Sequence, residues 1–297
     1  MKKKKVKLIL VGIIFLFSGY LLFISISYEN NFVHSQELLH QKFLPRLPYD
    51  LSFAGEVVHF KNEEAYRNFY SELRYHTRNE SSTRYALKNA GIWFPIIEKI
   101  LKENKMPDDL KYVALAESNL SNAVSPMGAV GFWQFTRITG MEFGLEISDE
   151  VDQRLDPIKS TKAACKYFKK MYHYFGSWTS AAAAYNYGET ALFFAFRNQR
   201  VNSYYDLDLN HETSSYLFRI LAMKDLIRNP KKYGIKMYRR QLPPVKSIKI
   251  EHSIFDLTLF AQLHGISYAQ LVEMNPWILK KTLTVEPGKS YFIDVPK

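Results

Sequence analysis

The chain has 297 residues, 47% of them hydrophobic and 15% aromatic, with a formal net charge of +11. Such a length and apolar content can bury one large core and a smaller one, and they exclude a disordered chain. Lys2, Lys3, Lys4, Lys5 and Lys7 supply nearly half of the charge, and the rest suits an anionic polymer or surface without choosing among cell wall, acidic lipid and nucleic acid.

Residues 8–27 are mostly Leu, Ile, Phe and Val and carry no charge, a run of about twenty that is long enough to cross ~30 Å of hydrocarbon. The lysine block before it belongs on the cytoplasmic side, which puts the body of the protein outside. Two readings stand: an uncleaved anchor, or a signal peptide cut at the small-x-small triplet Ser25-Ile26-Ser27. With no cysteine near this segment, a lipid-modified N-terminus is not expected, and the export signal argues against nucleic acid as a partner. Residues 28–60 lack a clean period and contain Pro45, Pro48 and Gly55, the texture of a linker leading away from a membrane.

From about Asn62 the pattern turns helical. Ile92, Phe94, Ile96, Ile97, Ile100 and Leu101 form one amphipathic stripe ending near Asn104. Pro107-Asp108-Asp109 opens the next helix, because proline is tolerated in a first turn and acids favour the positive end of the dipole. Further helical runs are expected over 133–143, 157–175, 178–187, 189–199 and 211–228, divided or ended by Gly176, Gly188 and Asn229-Pro230. Cys165, the only cysteine, rules out an internal disulfide and a cysteine-based metal cluster, and reads as a small buried apolar residue. After Leu242-Pro243-Pro244 the texture changes: residues 245–250 alternate like a strand, helical patterns follow over 255–264 and 267–274, and 290–295 alternate again, a small βααβ module.

Four clusters carry possible chemistry. Glu117-Ser118 closes the apolar run Tyr112-Val113-Ala114-Leu115-Ala116, and both a helix C-terminus and partial burial raise a carboxyl pKa, which makes a proton donor near neutrality. In Gly128-Ala129-Val130-Gly131-Phe132-Trp133-Gln134-Phe135 the glycines permit tight turns, and Gln134 both donates and accepts hydrogen bonds. Trp133 and Phe135 offer flat faces for a sugar, or else belong to the core. Ala184-Tyr185-Asn186-Tyr187-Gly188 ends a polyalanine helix; Tyr185 can place its hydroxyl beside a buried acid, while Asn186 and Gly188 suit a helix cap. Glu212-Thr213-Ser214-Ser215-Tyr216 starts the last long helix, where Glu212 favours the dipole and Tyr216 suits the core.

In that order and spacing, the four clusters resemble the soluble-lytic-transglycosylase domain of glycoside hydrolase family 23 over roughly residues 75–230. The resemblance implies a mainly α, lysozyme-like helical lobe around a glycan groove, with peptidoglycan strands as partner and no cofactor or metal. Residue by residue it implies that Glu117 is the single catalytic acid. Ser118, Gln134, Tyr185, Asn186, Glu212 and Tyr216 are implied to be substrate-binding positions. Phe132-Trp133 stands where many relatives have Leu-Met, which bears on subsite shape. The tail resembles a lysin motif (LysM), with His252-Ser253-Ile254 in place of a Gly-Asp-Thr-like opening; glycan binding and a structural cap both remain open for it.

The expected organisation is an anchor or signal over 1–27, a linker and leading helix over 28–74, a lysozyme-like transglycosylase domain over 75–242 and a LysM-like module over 243–297. The expected activity is cleavage of the MurNAc-GlcNAc β-1,4 bond with formation of a 1,6-anhydro ring, on the periplasmic side of a membrane in the cell envelope. Two rivals stand beside it. One is a goose-type-lysozyme-like hydrolase using a second acid among Asp149, Asp152, Asp156 and Glu189; the other is a non-catalytic wall-binding protein.

Overall fold

The computed structural model describes residues 51–60, 63–235 and 242–297. The apolar segment 8–27 and most of the expected linker lie outside them. Among the described residues no helix is long and apolar enough to cross a membrane.

The body is helical. Helices α1 (Glu63–Arg78), α2 (Glu80–Glu103) and α3 (Lys111–Ser118) are followed by α4 (Arg137–Glu142), α5 (Pro157–Phe175), α6 (Trp178–Tyr187), α7 (Glu189–Gln199) and α8 (His211–Arg228). Capping explains most of the boundaries. Asp156 accepts from the amides of Ile158 and Lys159 ahead of Pro157, and Gly176 ends α5 in the left-handed region at φ 73°. Ser177 starts α6 and Asn210 starts α8, each accepting an amide hydrogen bond. α8 packs against α1, α3 and α6, and α6 also packs against α5. Ala181, Ala182, Ala183 and Ala184 are all buried, and their small side chains let α6 sit close to its neighbours. Cys165 is buried in α5, where burial pushes its thiol up to about 11.

The end of the expected linker is part of this body. β1 (Ser52–Phe53) pairs antiparallel with β2 (Glu56–Val57), and Phe53 is fully buried. Lys224 of α8 donates to the Ser52 carbonyl and to Asp109 Oδ2, both at 2.6 Å, and the same carboxylate accepts from the Ala54 amide at 2.8 Å. Glu56 caps α6, accepting from the Trp178 amide at 2.5 Å, the Thr179 amide at 2.9 Å and the Thr179 hydroxyl at 2.7 Å. Strands of two residues are too short to show a period, and the residues that anchor this hairpin to the helices lie more than fifty positions away.

The C-terminal module follows its expected order: β3 (Val245–Ile250), α9 (Leu257–Leu263), α10 (Tyr268–Met274) and β4 (Tyr291–Pro296), with β3 and β4 antiparallel. Its core of Ile250, Leu257, Ala261, Leu271, Ile293 and neighbours also takes in Val151 from the helical body. Val151 bridges Ile278, the Asp152 amide donates to the Trp277 carbonyl at 2.9 Å, and the Leu279 amide donates to the Glu150 carbonyl at 2.8 Å. The Tyr291 hydroxyl donates to Glu146 at 2.8 Å. Body and module therefore share a built interface along residues 146–152.

Candidate active site

Glu117 occupies the last turn of α3, which ends where Asn119 and then Leu120 take left-handed φ values of 53° and 54°. The turn brings Glu117 beside α8, where the buried Tyr216 hydroxyl donates to Glu117 Oε1 at 2.5 Å. Burial pushes the Glu117 carboxyl above its ordinary range, opposed by the Tyr216 hydrogen bond and the positive charge of Arg219. Burial and the neighbouring carboxylate hold the Tyr216 hydroxyl well above its ordinary value, so it stays a proton donor to the acid. As a residue Glu117 is only half-buried. A carboxyl with one oxygen held by a donor, on a residue that reaches the surface, can pass a proton outward.

The glycine loop is a turn, not the start of a helix. The Val130 amide donates to the Phe135 carbonyl at 3.0 Å and Gln134 sits at φ 48°, so helix α4 begins only after the Thr136 cap. Gly131 is required by space: a Cβ there would stand 2.0 Å from the Arg154 carbonyl oxygen. Trp133 is completely buried and its indole donates to Thr161 Oγ1 at 2.9 Å, while Phe135 is buried beside it; both belong to the core and present no face to a sugar. Gln134 is half-buried, its amide donating to the carbonyls of Gly131 at 2.8 Å and Ala123 at 3.0 Å. Ser118 is buried: its hydroxyl lies 2.8 Å from the Phe132 carbonyl and 3.2 Å from that of Ala114, and it accepts from the Ser121 amide at 3.3 Å. Ser118 thus ties α3 to the loop from behind.

The Tyr185 hydroxyl serves the loop: it donates to the Trp133 carbonyl, and the Tyr185 ring stacks on Phe168 at 5.0 Å and 15°. It lies near enough to Glu117 for that charge to add to the rise that burial causes in its own pKa. The hydroxyl on the acid is nevertheless that of Tyr216, for which sequence offered only a core role or a motif match. Asn186 is half-buried in the last turn of α6, and Glu212 is exposed in the first turn of α8.

The four other acids have separate engagements. Asp152 is buried in a fork with Arg154, Asp156 caps α5, Glu189 pairs with Lys170 at 3.2 Å, and Asp149 lies 3.7 Å from Lys280. Sequence reasoning missed Arg219. It follows Tyr216 by three residues, a spacing that puts both on one helix face, and its Nε stands 3.5 Å from Glu72. A recess lined by His59, Glu64, Asn68, Tyr204, Tyr205 and Asp208 contains none of the site residues.

Comparison with known proteins agrees with the resemblance read from the motifs. Residues 94–207 match the transglycosylase SLT domain, and residues 246–297 match the soluble lytic transglycosylase C-terminal LysM-like domain. The chain is 28% identical over 226 residues to membrane-bound lytic murein transglycosylase D of Escherichia coli (strain K12), covering 74% of this chain and 50% of that protein. The same figures hold for the protein of that name from Escherichia coli O6:H1. The chain spans about half the length of the relatives it matches.

Proposed function

We propose that this chain, built from a transglycosylase SLT domain and a LysM-like domain, is a lytic transglycosylase that cleaves peptidoglycan between MurNAc and GlcNAc. The reading rests on one observation above the others: a half-buried Glu117 with a raised pKa, held on one oxygen by Tyr216. Burial raises the carboxyl's pKa and so favours its protonated, proton-donating form in the free enzyme. It donates that proton to the glycosidic oxygen as the bond to muramic acid C1 breaks, and the acetamido group assists the developing positive charge. The resulting carboxylate, steadied by the Tyr216 hydrogen bond, then takes the proton from the C6 hydroxyl as O6 closes on C1. One proton leaves Glu117 and one returns, no water is consumed, and no cofactor takes part.

Gln134 and Asn186 line the glycan groove in this reading, Glu212 stands at its edge, and Ser118 and Tyr185 hold the loop behind it. The engagements of Asp149, Asp152, Asp156 and Glu189 support a single-acid route over a hydrolase with a second acid. In this reading the enzyme works at the cell envelope on the periplasmic side, tethered or released after cleavage; the apolar segment 8–27 behind a lysine block supports it. Glu117→Gln keeps size and hydrogen bonding but cannot cycle a proton. Its turnover on purified sacculi should fall by at least ~10²-fold, the lower range for general acid catalysis. A folded Glu117→Gln protein with wild-type turnover would remove the proposal.

A further inference from the structure

The loop that carries Gln134 rests on one guanidinium. Arg154 is buried, and its Nη1 donates to the Gly128 carbonyl at 3.1 Å and to the Phe135 carbonyl at 3.2 Å, one at each end of the loop. Its other edge grips Asp152: Nη2 donates to Oδ2 at 2.7 Å, and Nε donates to Oδ1 at 3.0 Å and Oδ2 at 3.2 Å. The Arg154 main chain closes the loop from a second side, since its carbonyl oxygen fills the space that a Cβ on Gly131 would need. A planar fork with fixed donors can satisfy a carboxylate and two carbonyls together, whereas the single ammonium of a lysine cannot span them.

Asp152 is itself held from outside the helical body. Its amide donates to the Trp277 carbonyl of the C-terminal module at 2.9 Å, and the preceding Val151 lies in the module's core. Glu150 extends the contact, accepting from the Thr282 hydroxyl and, at 2.8 Å, from the Thr284 amide. A continuous series of contacts thus runs from the module through Asp152 and Arg154 to the groove loop.

We propose that Arg154 is the positioning residue for the Gln134 loop, and that the C-terminal module fixes Arg154 through Asp152, so that the module shapes the groove as well as extending the chain. The assignment of the loop to a glycan groove rests on the proposed function; the mechanical link does not. The test is hydrogen exchange in the full-length protein, comparing peptides over 128–135 and over α8, paired with steady-state kinetics on soluble glycan chains. Arg154→Met should speed loop exchange by at least about tenfold, since it removes both hydrogen bonds to the loop carbonyls, with α8 unchanged. KM should rise more than kcat falls, because the loop binds glycan and does not transfer the proton. Arg154→Lys, which keeps the pair with Asp152 and guards against a misfolded Met variant, should restore part of the protection. Glu150→Ala should speed loop exchange in the same direction by a smaller factor. Unchanged loop exchange in Arg154→Met, or an equal increase in α8, would overturn the positioning role. An unaffected loop in Glu150→Ala would overturn the module's part. The exchange readout stands even if no glycan is cut, so failure of this link and failure of the proposed activity are separable.

Discussion

Tyr216 donates its hydroxyl to Glu117 Oε1 at 2.5 Å across ninety-nine residues of sequence, joining the ends of the α3 and α8 segments at one carboxyl. This contact stabilises the carboxylate, while burial favours the acid; burial is the larger of the two, and the Glu117 pKa lies above its ordinary value.

Removing that hydroxyl alone should separate the two effects. Tyr216→Phe deletes a hydrogen bond to a charged group, worth about 1.5–3 kcal/mol, so turnover should fall by roughly ten- to a hundredfold. Because kcat/KM requires protonated Glu117 in the free enzyme, it declines as pH rises through that pKa. The hydrogen bond lowers the pKa, so its loss should move the decline to higher pH. A decline that stays in place, or moves to lower pH, would contradict the assignment.

Tyr185→Phe should behave differently. Its hydroxyl serves the Trp133 carbonyl, so the substitution should cost about 1 kcal/mol of stability and leave the pH position of the kcat/KM decline where it was. A shifted decline in Tyr185→Phe would place that hydroxyl on the acid after all.

Glu117 should also be a liability to folding. Its folded-state pKa is raised, so its favourable contribution is present below the unfolded value and is lost as pH rises through the folded one. Glu117→Gln carries no charge to bury. Its Tm should exceed wild type at pH 8, with the gap closing toward pH 4; a gap that is absent or independent of pH would show that the carboxyl is not held in a desolvated site.

The N-terminal hairpin gives a sharp truncation boundary. A chain beginning at residue 51 should fold like the whole, whereas one beginning at residue 61 loses the buried Phe53, the Glu56 cap on α6 and one partner of Lys224. Loss of the phenylalanine alone is worth about 3–5 kcal/mol. Urea unfolding of the two chains measures the difference, and equal midpoints would reduce the hairpin to decoration.

Much of this was legible in the sequence, and the reasons for success and failure are physical. Long helices announce themselves by period and breakers: α5 runs over the expected 157–175 and ends at Gly176, and the βααβ order of the module follows from its alternation and helical patterns. Glu117 stood out because an acid at the end of an apolar helix is anomalous. The hydroxyl beside it was harder, since Tyr185 and Tyr216 both lie near the acid and only three-dimensional packing decides which one bonds the carboxyl. Trp133 and Phe135 admitted a core or a groove reading, because an aromatic side chain serves either; the burial of both rings settles it for the core. The hairpin at 52–57 and the Arg154 fork depend on long-range partners or on backbone carbonyls, which leave no periodic trace.

The central claim is that one carboxyl acts as acid and then as base on the substrate's own C6 hydroxyl, an intramolecular nucleophile that needs no second acid. Mass spectrometry of the products released from purified sacculi tests it most directly. The account predicts chains ending in 1,6-anhydro-N-acetylmuramic acid, lighter by one water than hydrolytic products; products that end only in reducing muramic acid would contradict it.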